Sequence, residues 1–495
     1  MLFNSIAFIC AFFPISLLGY FALGRLRRKE PAILWLIICS LVFYGWWNVR
    51  YVPLLIGTMI FNYYLGTKLS RGTKHAKAVL VFGVAADLAL LAYFKYTNFF
   101  LENVNILTGA NIALPQIILP LGISFYTFQQ IAYRVEAFNG KRKNDTFLNY
   151  CACVTFFPHL IAGPIVRYSS LMPQFENPKS FTPNAKNMAI GLTVFVMGLA
   201  KKVLIADVCG QKANPIFASV TAGYVPSTPE AWIAILAFTL QVYFDFSGYS
   251  DMALGIARTF NIELPVNFDS PYKSRSIAEF WTRSHITLSH FIRDHLYQPL
   301  ARAKKRPGRL WLYTCVFISM TIMGLWHGAG WTFVVYGLVH ASAQVINFVY
   351  RNKMFALTAK PMTPLVRFLR EEFHWLCTIG VVVGALVLFR SENFPAAMRM
   401  YRAMIGFGGP EVYVNPLTVI KLVTIAVVTK WGPNVYDILG DCLFSFGRER
   451  PSVILPSLLR WQPSAAIAVG MVLVSYVVLY KFFDGPASEF VYFQF

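Results

Sequence analysis

The sequence predicts an all-α polytopic membrane protein of roughly ten to twelve transmembrane helices, with broken or re-entrant and amphipathic helices among them. Three observations carry that prediction. Hydrophobic residues make up 56% of the 495 and charged residues only 14%, against about 25% charged in an ordinary soluble domain. Mean hydropathy is +0.52. The apolar residues fall into runs long enough to cross a hydrocarbon core about 30 Å thick, and lysines and arginines cluster between those runs. No soluble domain interrupts them, so the chain reads as one integral membrane domain over 1–495, with its motifs concentrated at about 113–350.

The net charge of +21 does not point to nucleic acid. The basic residues sit where anionic lipid headgroups and the positive-inside rule account for them. Eight cysteines lie mostly inside apolar runs and show no metal-ligand spacing, so they read as small buried hydrophobes.

In chain order, the first apolar run precedes its basic cluster RLRRK (25–29), the reverse of a cleavable signal peptide. It reads as an uncleaved span with its N-terminus outside. Spans are expected at 2–23, 31–47, 51–69 and 76–100, and the basic loops 25–29 and 68–77 then fall on one side, the cytoplasm. The runs at 113–133 and 147–166 carry Pro115, Pro120, Pro158, Gly163 and Pro164 around the basic turn GKRKND, and are expected to be kinked or re-entrant. Further apolar segments fall at 187–209, 231–260, 373–390, 415–432 and 465–483. The run YFDFSGYSDMALG (243–255) sets Asp245 and Asp251 at the edge of a span, where carboxylates can hold broken helices together by hydrogen bonds.

The only long polar tract, 261–309, holds nine Lys/Arg between Lys273 and Arg309 against two acids, Glu279 and Asp294, which places it in the cytoplasm. Within it, EFWTRSHITLSHFIRDHLYQPL spaces its apolar residues as an amphipathic or re-entrant helix at the membrane surface. His285 and Ser289 fall one turn apart. His290 and His295 share no face with His285, which argues against a metal site.

The tract runs into two apolar arms, Arg309 to Tyr350, joined at GLWHGAG. His327 lies at that joint, about 27 Å along a helix from Arg309 and so beyond the membrane midplane. An ionisable group at that depth is a functional-site candidate by default. Gly324 and Gly328 fall at i and i+4, where missing side chains let a helix or ligand approach. Imidazole, with an ordinary pKa of about 6.5, suits a general base near neutral pH.

Six motifs in order resemble the membrane-bound O-acyltransferase family, in its branch of alginate-type polysaccharide O-acetyltransferases. They are ILPLGISFYTFQQIAY (118–133), FFPHLIAGPIVRY (156–168), YFDFSGYSDMA, EFWTRSHITLSHFIRDHLY, MGLWHGAGWTFVVYGLVHA and the terminal EFVYFQF. The resemblance implies an acyltransferase with His327 as the active-site histidine and His285 as the second characteristic position. It implies acetyl-CoA as donor substrate with no permanently bound cofactor or metal, an exported polysaccharide as acceptor, periplasmic acetyltransferase partner proteins, and a multi-pass place in the bacterial inner membrane. Coenzyme A phosphates are expected among Lys304, Lys305 and Arg306. The chain departs from the branch at Ser284, where tryptophan is usual, at ARAKKRPGR (301–309), and at Arg134 and Glu136; no departure removes a catalytic group. The relatives that esterify teichoic acid with D-alanine share both histidines, so reaction type is read more tightly than acyl group. A transporter would show two related halves with matching interrupted helices, and none is found. A non-enzymatic export subunit would be favoured by loss of the histidines, and both are present.

Overall fold

A computed structural model describes residues 1–26, 28–140, 146–354, 363–440, 460–483 and 490–491. All regular structure among these residues is helical, the form that closes its own backbone hydrogen bonds where no water competes. Seven of the helices are long and apolar enough to cross a membrane, and shorter apolar helices occupy 30–45 and 467–481. The chain is a multi-pass membrane protein.

The first four helices follow the expected order. A π-helical turn, Ala7–Phe12, leads into α1 (Phe13–Gly24), followed by α2 (Glu30–Gly45), α3 (Val52–Ser70) and α4 (Ala76–Thr108). Proline in the first turn of α1, α2 and α3 supplies a preset φ at a position that needs no donor.

The segment expected at 113–133 divides. Residues 109–122 form no helix, in keeping with Pro115 and Pro120, and α5 (Ile123–Phe138) begins after Gly122 at φ 71°. A Cβ there would lie 3.0 Å from the Leu160 carbonyl oxygen. α5 is buried on nearly every side, including Gln129, Gln130, Arg134 and Glu136. Its polar groups face protein rather than lipid, which is why hydropathy alone undercounts the helices. Arg134 pairs with Asp87 of α4, Asn62 of α3 donates to Asp87 at 3.0 Å, and Gly83 leaves room for the guanidinium. The prolines and glycine at 158–164 break the next stretch into α6 (Phe147–Thr155), α7 (Phe157–Leu160) and α8 (Tyr168–Glu176). Of the basic turn, 141–145 lie outside the described residues.

α9 (Ala185–Ala200), a π turn Lys201–Ala206 and α10 (Asp207–Thr221) form one helical run that crosses α11 (Thr228–Thr259). Small residues set the crossing: a Cβ at Gly198 would lie 2.6 Å from the Gly248 carbonyl oxygen, and one at Gly191 2.6 Å from that of Gly255. Asp245 and Asp251 do not mark the edge of a span, because α11 continues through both. Each finds a lysine of the π turn, Asp245 with Lys202 and Asp251 with Lys201, both at 2.6 Å. The backbone N–H of Val491 donates to Asp245 at 2.9 Å and the Tyr436 hydroxyl to Asp251 at 2.7 Å. The bracing role expected of the carboxylates holds, with ammonium groups as their main partners.

The polar tract forms α12 (Ile277–Arg283), α13 (Ile286–Ile292), a π turn Arg293–Tyr297 and α14 (Gln298–Arg302). The hairpin follows as α15 (Arg309–His327) and α16 (Trp331–Met354), then α17 (Pro364–Arg390), α18 (Phe394–Met404), α19 (Pro416–Trp431), α20 (Val435–Leu439) and α21 (Ala465–Phe483). Of the terminal EFVYFQF motif only Phe490 and Val491 fall among the described residues.

Candidate active site

His327 is the last residue of α15. The helix stops there because Gly328 is extended, at φ −162° and ψ 152°. His285 occupies the break between α12 and α13 at φ 48°, a left-handed conformation that costs a non-glycine residue on the order of 1–3 kcal/mol and persists only where its surroundings over-determine it. They do so here. Asp269 N–H donates to the Arg283 carbonyl at 2.8 Å, and Ile286 N–H to that of Asn267 at 2.9 Å. The Asn267 side chain accepts from the Thr287 N–H and hydroxyl at 3.2 and 2.9 Å.

The amphipathic or re-entrant helix expected at the membrane surface is broken at that point. The apolar residues of EFWTRSHITLSHFIRDHLY have helical spacing, but they lie on two short helices folded into the protein, and His285 is 3% exposed. Burial pushes its imidazole down to about 3, so it stays neutral across the physiological range.

The two histidines meet. Their ring centroids are 6.2 Å apart, and Trp326 stands 5.6 Å from His285. Phe246 meets His285 edge-on at 4.8 Å, while Phe389 and Tyr336 meet His327 at 5.3 and 6.0 Å. His340 of α16 extends the cluster, 4.7 Å from Tyr336 and accepting a hydrogen bond from the Trp281 indole at 3.3 Å. Among the described residues no three His, Cys, Asp or Glu side chains gather as a metal-ligand set.

One cavity is lined by this pair and a second lies nearby. One, of 70 Å³, is lined by both histidines with Tyr272, Trp281, Ser284 and Phe389, so its wall is built largely from the polar tract and its neighbours. The other, of 490 Å³, is lined by Trp46, Trp47, Lys95, Gly122, Ser124 and Phe125. Phe125 lines the larger cavity and stands 5.3 Å from Trp326 and 6.5 Å from His285.

Two details of the hairpin bear on the sequence reading. A Cβ at Gly324 would lie 2.3 Å from the Phe333 carbonyl oxygen, and one at Gly328 2.1 Å from the Phe333 ring. The space at both glycines is therefore taken by α16 and gives a ligand no path. Lys304, Lys305 and Arg306 occupy an exposed turn at the far end of α15, about 27 Å from His327 by helical rise, with the Lys304 ammonium 4.2 Å over the Trp311 ring. They do not line the histidine cavity.

Sequence reasoning missed Lys95, whose ammonium bonds to the carbonyls of Trp326 and His327, and Phe125. A lone lysine inside an apolar run was the available signal for the first. Phe125 carried none.

The family model for MBOAT, the membrane-bound O-acyltransferase family, matches residues 135–365. A peptidoglycan O-acetyltransferase from Helicobacter pylori is 40% identical over 440 residues, covering 83% of this chain and 80% of the relative. A probable alginate O-acetylase from Pseudomonas aeruginosa is 38% identical over 418 residues, 82% of this chain and 75% of the relative. A teichoic acid D-alanyltransferase from Streptococcus thermophilus is 28% identical over 270 residues, 53% of this chain and 65% of the relative.

Proposed function

The chain belongs to the membrane-bound O-acyltransferase family, and from that premise we propose that it carries acetyl from cytoplasmic acetyl-CoA across the bacterial inner membrane for O-acetylation of an exported polysaccharide, alginate-like or another exopolysaccharide. The observation that supports this most is the meeting of His285 and His327 at one cavity, with a second, larger cavity reaching Phe125, 6.5 Å from His285. The first includes Phe280, Trp281 and Ser284 of the polar tract, and the second Trp46 and Trp47 after α2, Lys95 of α4 and the residues that lead into α5.

In this reading the thioester reaches the histidines from the side of Ser284 and Trp281, and the acceptor hydroxyl enters from the chamber of Trp46 and Trp47. His327 takes the hydroxyl proton as its oxygen attacks the thioester carbonyl carbon. The carbon–oxygen bond forms, the carbon–sulfur bond breaks as the tetrahedral adduct collapses, and the proton goes to the departing thiolate. His285, neutral and held in its strained break, orients the reacting groups. Proton transfer of this kind contributes about 10²- to 10⁴-fold, and alignment supplies the rest. The acceptor is the glycan itself or a periplasmic acetyltransferase partner that passes the acetyl on. Phosphates of coenzyme A dock at Lys304, Lys305 and Arg306, and no permanently bound cofactor is needed.

The test is transfer of labelled acetyl from acetyl-CoA by purified protein. His327→Ala should lower it by at least about 10²-fold while insertion and yield stay unchanged. Wild-type transfer by that variant would remove the base assignment.

A further inference from the structure

The C-terminal end of α15 needs donors, and the hairpin itself does not supply them. The last carbonyls of any helix lack intrahelical partners, and Gly328 turns away in an extended conformation. Two adjacent side chains of α4 supply them. The Tyr96 hydroxyl donates to the Leu325 carbonyl at 2.8 Å. The Lys95 ammonium donates to the Trp326 carbonyl and, at 3.3 Å, to that of His327. Three successive carbonyls, ending on the histidine itself, are thus closed from one neighbouring helix.

A lysine inside a membrane span is costly and requires a reason. Here the charge meets the negative end of a helix dipole, where a cation is favourable. Its three donors suit a set of carbonyls that a neutral side chain could satisfy only in part. The same ammonium stands 6.0 Å from the Trp326 ring, and the side chain lines the 490 Å³ cavity. The histidine backbone is therefore held by a side chain that also lines that cavity, while Phe389 and Tyr336 pack against its ring.

We propose that Lys95, assisted by Tyr96, is the positioning residue that fixes His327 in its reactive place. Without the clamp the last turn of α15 frays and the imidazole moves relative to the thioester, and a displacement of about 1 Å is enough to cost about 10²-fold. Lys95 touches neither reacting group in this role; it acts through the backbone of His327. The inference rests on His327 being the base.

The experiment compares Lys95→Met, Lys95→Arg, Tyr96→Phe and His327→Ala, each purified in detergent and assayed with labelled acetyl-CoA. Lys95→Met should lower kcat by about 10²-fold and leave KM for acetyl-CoA within about twofold, because a displaced base leaves donor binding intact. Lys95→Arg, which keeps the charge and several donors, should recover to within about fivefold of the wild type, and Tyr96→Phe should lose about fivefold in kcat, the value of one hydrogen bond. Wild-type kcat in Lys95→Met, equal losses in the methionine and arginine variants, or a loss confined to KM would each overturn the clamp. Should Lys95→Met fail to fold, Tyr96→Phe decides alone, an unchanged kcat counting against the clamp. His327→Ala separates the two readings. If it is inactive while Lys95→Met is not impaired, only the clamp falls; if it retains full transfer, the base assignment falls and takes the clamp with it.

Discussion

At His285 the protein holds a side chain that is buried, neutral and mounted on a left-handed backbone, and each property has a measurable consequence. His285→Ala should impair transfer by about tenfold or more, read in the labelled-acetyl assay. Stability should respond to pH through the same residue. An unfolded imidazole takes up a proton near its ordinary value of about 6.5, whereas burial holds the folded one to about 3. The stabilisation is complete above about 6.5 and is lost progressively as pH falls from there toward 3. Between pH 7.5 and 5 the melting temperature of the wild type should therefore fall more steeply than that of His285→Asn, and parallel curves would contradict this. His327 was legible in the sequence because a lone imidazole in an apolar hairpin has no ordinary reason to be there. The burial of His285 was not, since helical spacing looks the same whether the helix runs through or breaks, and a positive φ at a non-glycine residue leaves no mark. Lys95 was legible in kind, being a charge inside an apolar run, but its partners are backbone carbonyls that no residue pattern identifies.

At the scale of elements, the hairpin of α15 and α16 carries the site, and its crossing is set by glycine. A Cβ at Gly324 would meet the Phe333 carbonyl oxygen at 2.3 Å and one at Gly337 the Met320 carbonyl oxygen at 2.5 Å, so backbone rather than a flexible side chain would have to move. Gly324→Ala should cost roughly 1–3 kcal/mol and lower transfer with it. Gly380→Ala on α17, where nothing lies within 4 Å of a Cβ, should be neutral or stabilising by up to about 1 kcal/mol through helix propensity. Thermal unfolding in detergent compares them, and equal effects would show that the hairpin crossing is not the tight one. The sequence indicated close approach at Gly324 but not what approaches, because spacing cannot distinguish the hairpin's second arm from a ligand. It misplaced Gly328 on the helix because the extended turn at Gly328 ends α15 one residue earlier. The broken run around Pro158 and Gly163 was readable because proline removes a donor wherever it stands.

At the scale of the whole molecule, the proposed function requires two faces, and the charge pattern is the ground for assigning them. Loops 25–29 and 68–77 and the tract 273–309 are basic and are read as cytoplasmic; in the proposed function the chamber of Trp46 and Trp47 then faces outside. Apolar length was a sound guide to the outer helices and a poor one to α5, since a helix enclosed by protein has no need to be apolar. Neutralising Lys304, Lys305 and Arg306 together should raise KM for acetyl-CoA about tenfold with kcat less affected, and an unchanged KM would move the phosphate site elsewhere. The central claim is that one histidine pair joins a donor on one face to an acceptor on the other. Inside-out membrane vesicles test it most directly: with labelled acetyl-CoA supplied only to the exposed cytoplasmic face, label should accumulate on acceptor in the lumen for the wild type and not for His327→Ala. Absence of lumenal label in the wild type, or equal label in both, would contradict the account.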